Sequence, residues 1–575
     1  MADDERREEL PSDVGGGDVR REHDSLGPVR VPASAYYGAQ TARAVANFPI
    51  SGLRAHPDLV TATARVKKAA AVANAALGRL DGEIAAAIAA AADEIVAGRW
   101  RDQFVVDVYQ AGAGTSHNMN TNEVIANRAG ERLGEPLGTY RRVHPNDHVN
   151  MGQSTNDVFP TATRVALLMG AAPLVEQTRA LADVFARKAE AFRDVIKTGR
   201  THLQDAVPMT FGQEFEGYAA CLRRSAEHLV WASEQLSELN LGATAVGTGL
   251  NAGDEYRRLA IEHLASETGL PLIPAANLFR VTQSMGDVLA YSGAMRRLAV
   301  ELGKVASDLR LLSMGPRAGL AELRLPAVQP GSSIMPGKVN PSMAEMVNQV
   351  CFQVLGCDTT IAAACEAGQL ELNVMMPVIA WNALQASTIL REAMRTFRVR
   401  CVDGLEVDAG RARELLDRST ATATALSPHI GYEATAAIAQ ESVRTGRPVR
   451  ELVLERGLID ASRLDQILSV DAMTRPDHNL AGLTATTSGV VDVQVVNGDR
   501  VVAHVGGHDL DRQPDEIRLC RFIHLPHSPE SRWGSARARA SDEKPFVWLD
   551  NIRGQVSIMV GRKVLLVTNA IQTRT

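Results

Sequence analysis

Between residues 282 and 312, Val288, Tyr291, Met295, Leu298, Leu302, Val305, Leu309 and Leu312 recur at alternating spacings of three and four. Residues so spaced lie on one stripe of a helix, and the stripe repeats like a coiled-coil seam. At ~1.5 Å per residue the segment runs to about 45 Å, too long for a small domain to cover from one side. Residues 161–197, 210–240, 341–366 and 378–400 show helical patterns of similar reach, with Pro173 expected to bend or split the first. Five such helices need one another's apolar stripes, so the expected fold is mainly α, a long-helix bundle. Stripes on more than one side point to subunits sharing helices in an oligomer; the plainer alternative is a monomeric helical domain. Aromatic residues make up only 4% of the chain and alanines are many, which suits close helix packing better than a β-sandwich.

The flanks differ from this core. Residues 1–24 are polar, with a VGGG run at 14–17, and are expected to be a mobile tail. An N-terminal helical domain is placed at 25–152; within it, Gly78 and Asp81 mark a break in the alanine-rich stretch 57–98. The long-helix bundle is placed at 153–408. Shorter helices at 409–418, 432–445, 449–456 and 461–468 make a small helical domain of 409–480. From 481 to 575 a β-rich appendage of unknown role is expected. VVDVQVV, Asn497-Gly498-Asp499 and VVAHV read as a hairpin, and QVSIMV, Gly561-Arg562 and KVLLVTN repeat the pattern. Its Arg/Pro/Ser-rich middle, 511–543, is expected to be poorly ordered.

A formal net charge of −6 offers no basic face for nucleic acid. The six cysteines (Cys221, Cys351, Cys357, Cys365, Cys401 and Cys520) show no CxxC spacing and read as reduced thiols. The charged start MADDERREEL lacks the apolar run of a signal peptide, and no stretch approaches the ~18 consecutive apolar residues of a membrane span. The expectation is a soluble, cytoplasmic chain without nucleic-acid or membrane partners.

Four polar segments are not explained by helix periodicity. In GAGTSHNMNTNEVIANRA (112–129), Thr115, Ser116, Asn118, Asn120 and Asn122 precede or open a helix. A helix cap uses one such residue; five suit a site that grips carboxylate oxygens with neutral donors and backbone N–H groups. In HPNDHVNMGQSTNDVFPTATR (144–164), Ser154, Thr155 and Asn156 again stand ahead of a long helix. His144, Asp147 and His148 are too few for a metal site, and helix-end hydrogen bonding suits them better. GRTHLQDAVPMTFGQEF (199–215) carries Thr201 and His202 in a turn-like stretch. The fourth, 315–345, is a long glycine- and proline-punctuated loop bearing Ser332, Ser333, Lys338 and Asn340, and loops of this length are usually functional or disordered.

Within that loop, GSSIMPGKVNP (331–341) matches the signature of the fumarase/aspartase superfamily residue for residue. The other three segments resemble the remaining active-site regions in the same order, and the resemblance spans roughly 25–480. GTSHNMNTNE, Thr155 in QSTND, EAGQLELNV (366–374) and VNQVCFQVLG (347–356) resemble the aspartase branch more than the fumarases. His117 and Met376 depart from it, since aspartases often carry an apolar residue at the first position and glutamate at the second.

The resemblance implies a cofactor-free, metal-free carbon–nitrogen lyase that converts L-aspartate to fumarate and ammonia through an aci-carboxylate intermediate. It implies Ser332 on a mobile loop as base, with Thr115, Ser154, Thr155 and His202 as donors to the developing charge. Lys338 would pair with the other carboxylate, Asn156 and Asn340 would orient the substrate, Thr201 would line its site, and Glu345 would hold the His202 tautomer. In the family these segments meet from three subunits of a homotetramer. Two other readings stay open: a class II fumarate hydratase sharing the base and most contacts, and a catalytically silent helical scaffold. The NMNTNE and QSTND segments argue against argininosuccinate and adenylosuccinate lyases.

Overall fold

The computed structural model describes residues 18–475 together with strands at 493–497, 500–505, 546–550, 555–560 and 563–568. Two compact units divide at Asn479 and Leu480. The expectation for 511–543 falls outside the described residues, as does the tail up to 17.

The first unit opens on an antiparallel hairpin, β1 (Val19–Asp24) with β2 (Gly27–Pro32). This corrects the expected tail, whose last residues are structured. Arg20 explains why: its guanidinium pairs with the buried carboxylate of Glu22 and donates to the carbonyls of Pro32, Ala35 and Tyr37. Local polarity gave no sign of these distant partners.

Four helices follow: α1 (Ala39–Asn47), α2 (Pro57–Ala76), α3 (Gly82–Val96) and α4 (Thr115–Arg132). The break between α2 and α3 is where Gly78 and Asp81 placed it. Gly78 takes a φ of +68°, and Asp81 caps α3 by accepting from the backbone N–H groups of Glu83 and Ile84.

The bundle is built from α5 (Thr155–Ala191), α6 (Phe211–Glu234), α7 (Asp254–Thr268), α8 (Leu278–Gln283), α9 (Gly286–Leu312), α10 (Ser342–Glu366) and α11 (Met376–Phe397). All eight stripe residues of α9 are buried. α5 packs on α6, α11 and α2, while α10 packs on α9 and α11. Pro173 lies inside α5 without splitting it. An 18-residue window of α5 has mean hydropathy 1.5, but 78% of it is buried within the bundle, so its apolarity serves the protein core.

Between these helices run three short pairings. β3 (Ile196–Thr201) and β4 (Gln204–Thr210) form an antiparallel hairpin. β5 (Glu238–Leu239) pairs in parallel with β6 (Ile273–Pro274), and β7 (Leu323–Arg324) pairs with β8 (Glu406–Val407). After α12 (Ala409–Arg418) come α13 (Ser427–Ile430), α14 (Tyr432–Thr445), α15 (Val449–Glu455), α16 (Ala461–Ile467) and α17 (Val470–Thr474). Leu426, Ile438, Leu452, Val453 and Leu464 give this end its own apolar cluster.

The second unit contains β9 (Val493–Asn497) paired antiparallel with β10 (Arg500–Val505). A separate three-stranded antiparallel sheet has the order β11 (Phe546–Asp550), β12 (Gln555–Val560), β13 (Lys563–Thr568).

Candidate functional site

The N-terminus of α4 is reached through a tight turn in which Ala113 and Gly114 have φ of +61° and +87°. A Cβ on Gly114 would lie 2.1 Å from the Phe159 ring. The missing side chain therefore lets α4 start directly against α5. Among the described residues no side chain caps α4, and Thr115 stands exposed at its first position. Asn120 is spent on structure: its amide donates to Gln103 O at 2.9 Å and its oxygen accepts from Val105 N–H.

The start of α5 is fastened differently. Ser154 Oγ accepts from Asn156 N–H, and the Asp157 carboxylate accepts from Ser154 N–H, completing a capping box. The other Asp157 oxygen accepts from Gly242 and Thr244 N–H at 3.0 and 2.9 Å. Asn156 donates to Ala245 O at 2.8 Å. Burial raises the Asp157 pKa to about 7, partly opposed by these backbone donors.

Asn118 joins the two helix starts: its amide donates to both Thr155 Oγ1 and Asn150 Oδ1 at 3.2 Å. Because Thr155 Oγ1 accepts there, its own O–H stays free to donate elsewhere. Asn150 Oδ1 also receives Asn122 Nδ2 at 3.2 Å and Lys67 Nζ at 2.9 Å. Lys67 donates again to Gln153 Oε1 at 2.9 Å. Fully enclosed on α2, it has its pKa pushed down to about 7 by burial, against the opposing pull of Asp157. Sequence reading missed Lys67 because it sits in an alanine-rich helical run; the only signal was a lysine on the stripe that faces inward.

His117 is packed away from this surface. Its Nε2 lies 3.0 Å from Thr63 Oγ1, and its ring meets Phe104 and Phe159. Burial, and secondarily Lys67, lowers its pKa to about 4, which keeps the ring neutral. Met376 is likewise fully buried. Both departures from the aspartase pattern are thus core residues. His144 and His148 each accept backbone N–H groups around the 145–149 turn. No group of three or more His, Cys, Asp or Glu side chains suited to a metal occurs among the described residues.

Thr201 and His202 lie at the exposed tip of the β3–β4 hairpin, where His202 and Leu203 have φ of +54° and +59°. In the 331–341 loop, Asn340 donates to Gly331 O and Gly331 N–H donates to Lys338 O, both at 2.8 Å, so the loop closes on itself. Ser332 Oγ accepts from the N–H groups of Ile334 and Met335 at 3.2 Å each. Ile334 is 82% exposed, and Lys338 is also on the outside. Glu345 is half-buried on the first turn of α10.

Within one chain, then, the first two segments and Lys67 form a single hydrogen-bonded cluster. Among the described residues, no hydrogen bond or ion pair joins His202, Ser332, Lys338 or Glu345 to that cluster or to one another. The expected Glu345–His202 contact is absent within the chain, because one residue sits on a bundle helix and the other at a solvent-facing tip. A cleft of about 650 Å³ lined by Arg193, Asp194, Ser469 and Arg475 contains none of the four segments.

The family profile described as Lyase matches residues 27–356, and that described as Fumarase C C-terminus matches 423–475. Aspartate ammonia-lyase from Bacillus subtilis is 50% identical over 462 residues, covering 80% of this chain and 97% of the relative. Aspartate ammonia-lyase from Escherichia coli is 47% identical over 463 residues, again covering 80% of this chain and 97% of the relative. Among solved structures, a fumarate lyase:delta crystallin from Brucella melitensis bound to cobalt is 50% identical with a TM-score of 0.77, covering 80% of this chain and all of that one. A class II fumarase from Schistosoma mansoni superposes with the same TM-score at 37% identity and the same coverage. A helical bundle of this architecture, carrying all four polar segments in order and matched over nearly the whole length of such relatives, belongs to the fumarase/aspartase lyase superfamily.

Proposed function

We propose that the chain is an aspartate ammonia-lyase, eliminating ammonia from L-aspartate to give fumarate. The observation that carries this reading is the match at about half identity to aspartate ammonia-lyases over nearly their whole length.

The chemistry asks for removal of a weakly acidic Cβ proton while charge builds on the adjacent carboxylate. Ser332 is assigned as the base. A serine is activated only when its alkoxide is stabilised, and two backbone N–H groups already converge on Ser332 Oγ. It takes the Cβ proton, and the electron pair moves into the carboxylate as an aci-carboxylate dianion. That pair then returns to form the C=C bond, and the α-ammonium group leaves as ammonia with the C–N electrons. Donors aimed at the developing charge contribute most in such a reaction. The free O–H of Thr155, Ser154, and Thr115 at the uncapped α4 terminus are assigned this task with His202. Lys338 takes the second carboxylate, and Thr201, Asn156 and Asn340 orient the substrate. Asn156 and Asn340 are each braced through their amides. No metal or other cofactor is assigned.

The separation of the segments within one chain favours sites shared between subunits of a homotetramer, with Glu345 meeting His202 from another subunit. Free thiols on Cys221, Cys351, Cys357, Cys365 and Cys401 suit a cytoplasmic location. The fumarase likeness supports a second reading, hydration of fumarate to L-malate. Absorbance of fumarate on adding L-aspartate, L-malate or argininosuccinate separates them; a response to malate alone overturns the deaminase reading. Ser332→Ala is expected to lower turnover by several orders of magnitude with the oligomer intact. Unchanged turnover removes Ser332 as base, and loss of activity in this variant excludes a silent scaffold.

A further inference from the structure

Among the described residues no hydrogen bond or ion pair joins the hairpin tip carrying His202 to the loop carrying Ser332, yet a partly buried ion pair joins their bases. Arg200, immediately before Thr201 and His202, donates to Glu322 Oε2 at 2.7 Å. Glu322 is fully buried, and it stands where the chain leaves the bundle toward the 325–341 loop. Its backbone N–H bonds Leu312 O at the end of α9, and its carbonyl accepts from Asp408 N–H at the start of α12. Arg411 adds bonds to Leu320 O and Gly319 O. The root of the loop is therefore clamped from three directions. Beyond it, Ile334, Met335 and Val339 are exposed.

The hairpin side is equally constrained. The register shifts between Thr198 and Arg200, and a Cβ on the intervening Gly199 would come within 2.6 Å of Val207 O. That irregularity sets where Arg200 leaves the strand. The other carboxylate oxygen of Glu322, Oε1, is buried with no hydrogen-bond partner among the described residues. Surface ion pairs contribute little, but a buried pair that loses one partner leaves an uncompensated charge. A carboxylate held with one oxygen unpaired is a poor choice for stability alone.

We propose that Arg200 and Glu322 are positioning residues: their ion pair is a strut that holds the His202 tip and the root of the Ser332 loop in one frame. The site segments thereby keep a fixed orientation while the loop moves over substrate. The kinetic consequence rests on the lyase reading above; the mechanical one does not.

Two measurements on the full-length protein test it, using Glu322→Gln, Arg200→Gln and the conservative Arg200→Lys, with the exposed Arg413→Ala as control. Hydrogen exchange should quicken by about tenfold in both 199–206 and 325–341 in the Gln variants, with the bundle helices unchanged. In the same variants kcat should fall by about 10- to 100-fold with KM within about twofold, as expected for misplaced catalytic groups. Arg200→Lys should recover most of both effects, and it also serves should Glu322→Gln fail to fold. Exchange unchanged in the loop, exchange raised throughout the bundle, or a change in KM alone overturns the strut. If the wild-type protein does not act on L-aspartate, the lyase reading fails, and the exchange measurement alone decides the strut.

Discussion

Arg164 Nε donates to Asp287 Oδ2 at 2.6 Å, tying the N-terminal third of α5 to the first turn of α9. The guanidinium is fully enclosed, and its remaining N–H groups reach the Val281 and Asn240 oxygens. Asp287→Ala strands that charge and should destabilise the protein by about 3–5 kcal/mol. A urea midpoint within error of wild type would contradict this. The double variant Arg164→Met, Asp287→Leu should recover most of the loss, since no buried charge then lacks a partner.

Gly114→Ala should disturb both stability and activity. The residue needs a positive φ, and its added methyl group meets the Phe159 ring, so a cost of about 2–3 kcal/mol is expected. Thr115 follows directly, and turnover should fall with the melting temperature. A variant that melts and turns over like wild type would show that α4 need not start against α5.

Thr155→Val removes the hydroxyl proposed to face the developing dianion while keeping the side-chain shape. Turnover should fall by about 10²–10³-fold with a smaller change in KM, since the donor acts on charge present mainly in the transition state. Initial rates across a range of L-aspartate concentrations decide it; a rise in KM alone would place the hydroxyl on the bound substrate instead.

Lys67 ties stability to pH. Burial disfavours its charged form and holds its folded pKa at about 7, well below the ordinary lysine value of about 10.4. Its contribution is full above the unfolded pKa and is lost as pH falls through the folded one. Relative to Lys67→Met, wild type should lose about 3 kcal/mol between about pH 9.5 and about pH 7. Urea midpoints of both proteins across that window test the sign; a constant difference would mean that Lys67 stays charged throughout.

A chain ending at Asn479 should fold and retain wild-type turnover. It keeps the first compact unit and both matched family segments. Thermal melting and the fumarate assay on this truncation check it, and loss of activity would give 480–575 a role in the lyase reaction.

Sequence alone determined the class of fold and the family. The stripe from Val288 to Leu312 forced a long buried helix because a spacing of three and four has one geometric meaning in a helix. The unbroken GSSIMPGKVNP segment carried the family, and Gly78 with Asp81 marked a helix boundary through local backbone preference. Each of these signals lies within a short stretch of chain, where neighbouring residues decide the outcome.

Tertiary structure decided everything that depends on residues far apart. Only packing shows that Asn120 serves the 101–105 turn, that His117 belongs to the core, and that Lys67 is linked to Thr155 through Asn150 and Asn118. Only packing turned the polar stretch at 19–24 into a strand, by giving Arg20 its carbonyl partners. Burial, charge compensation and hydrogen-bond satisfaction depend on which surfaces meet, and periodicity along a chain specifies a helix face without naming what will cover it.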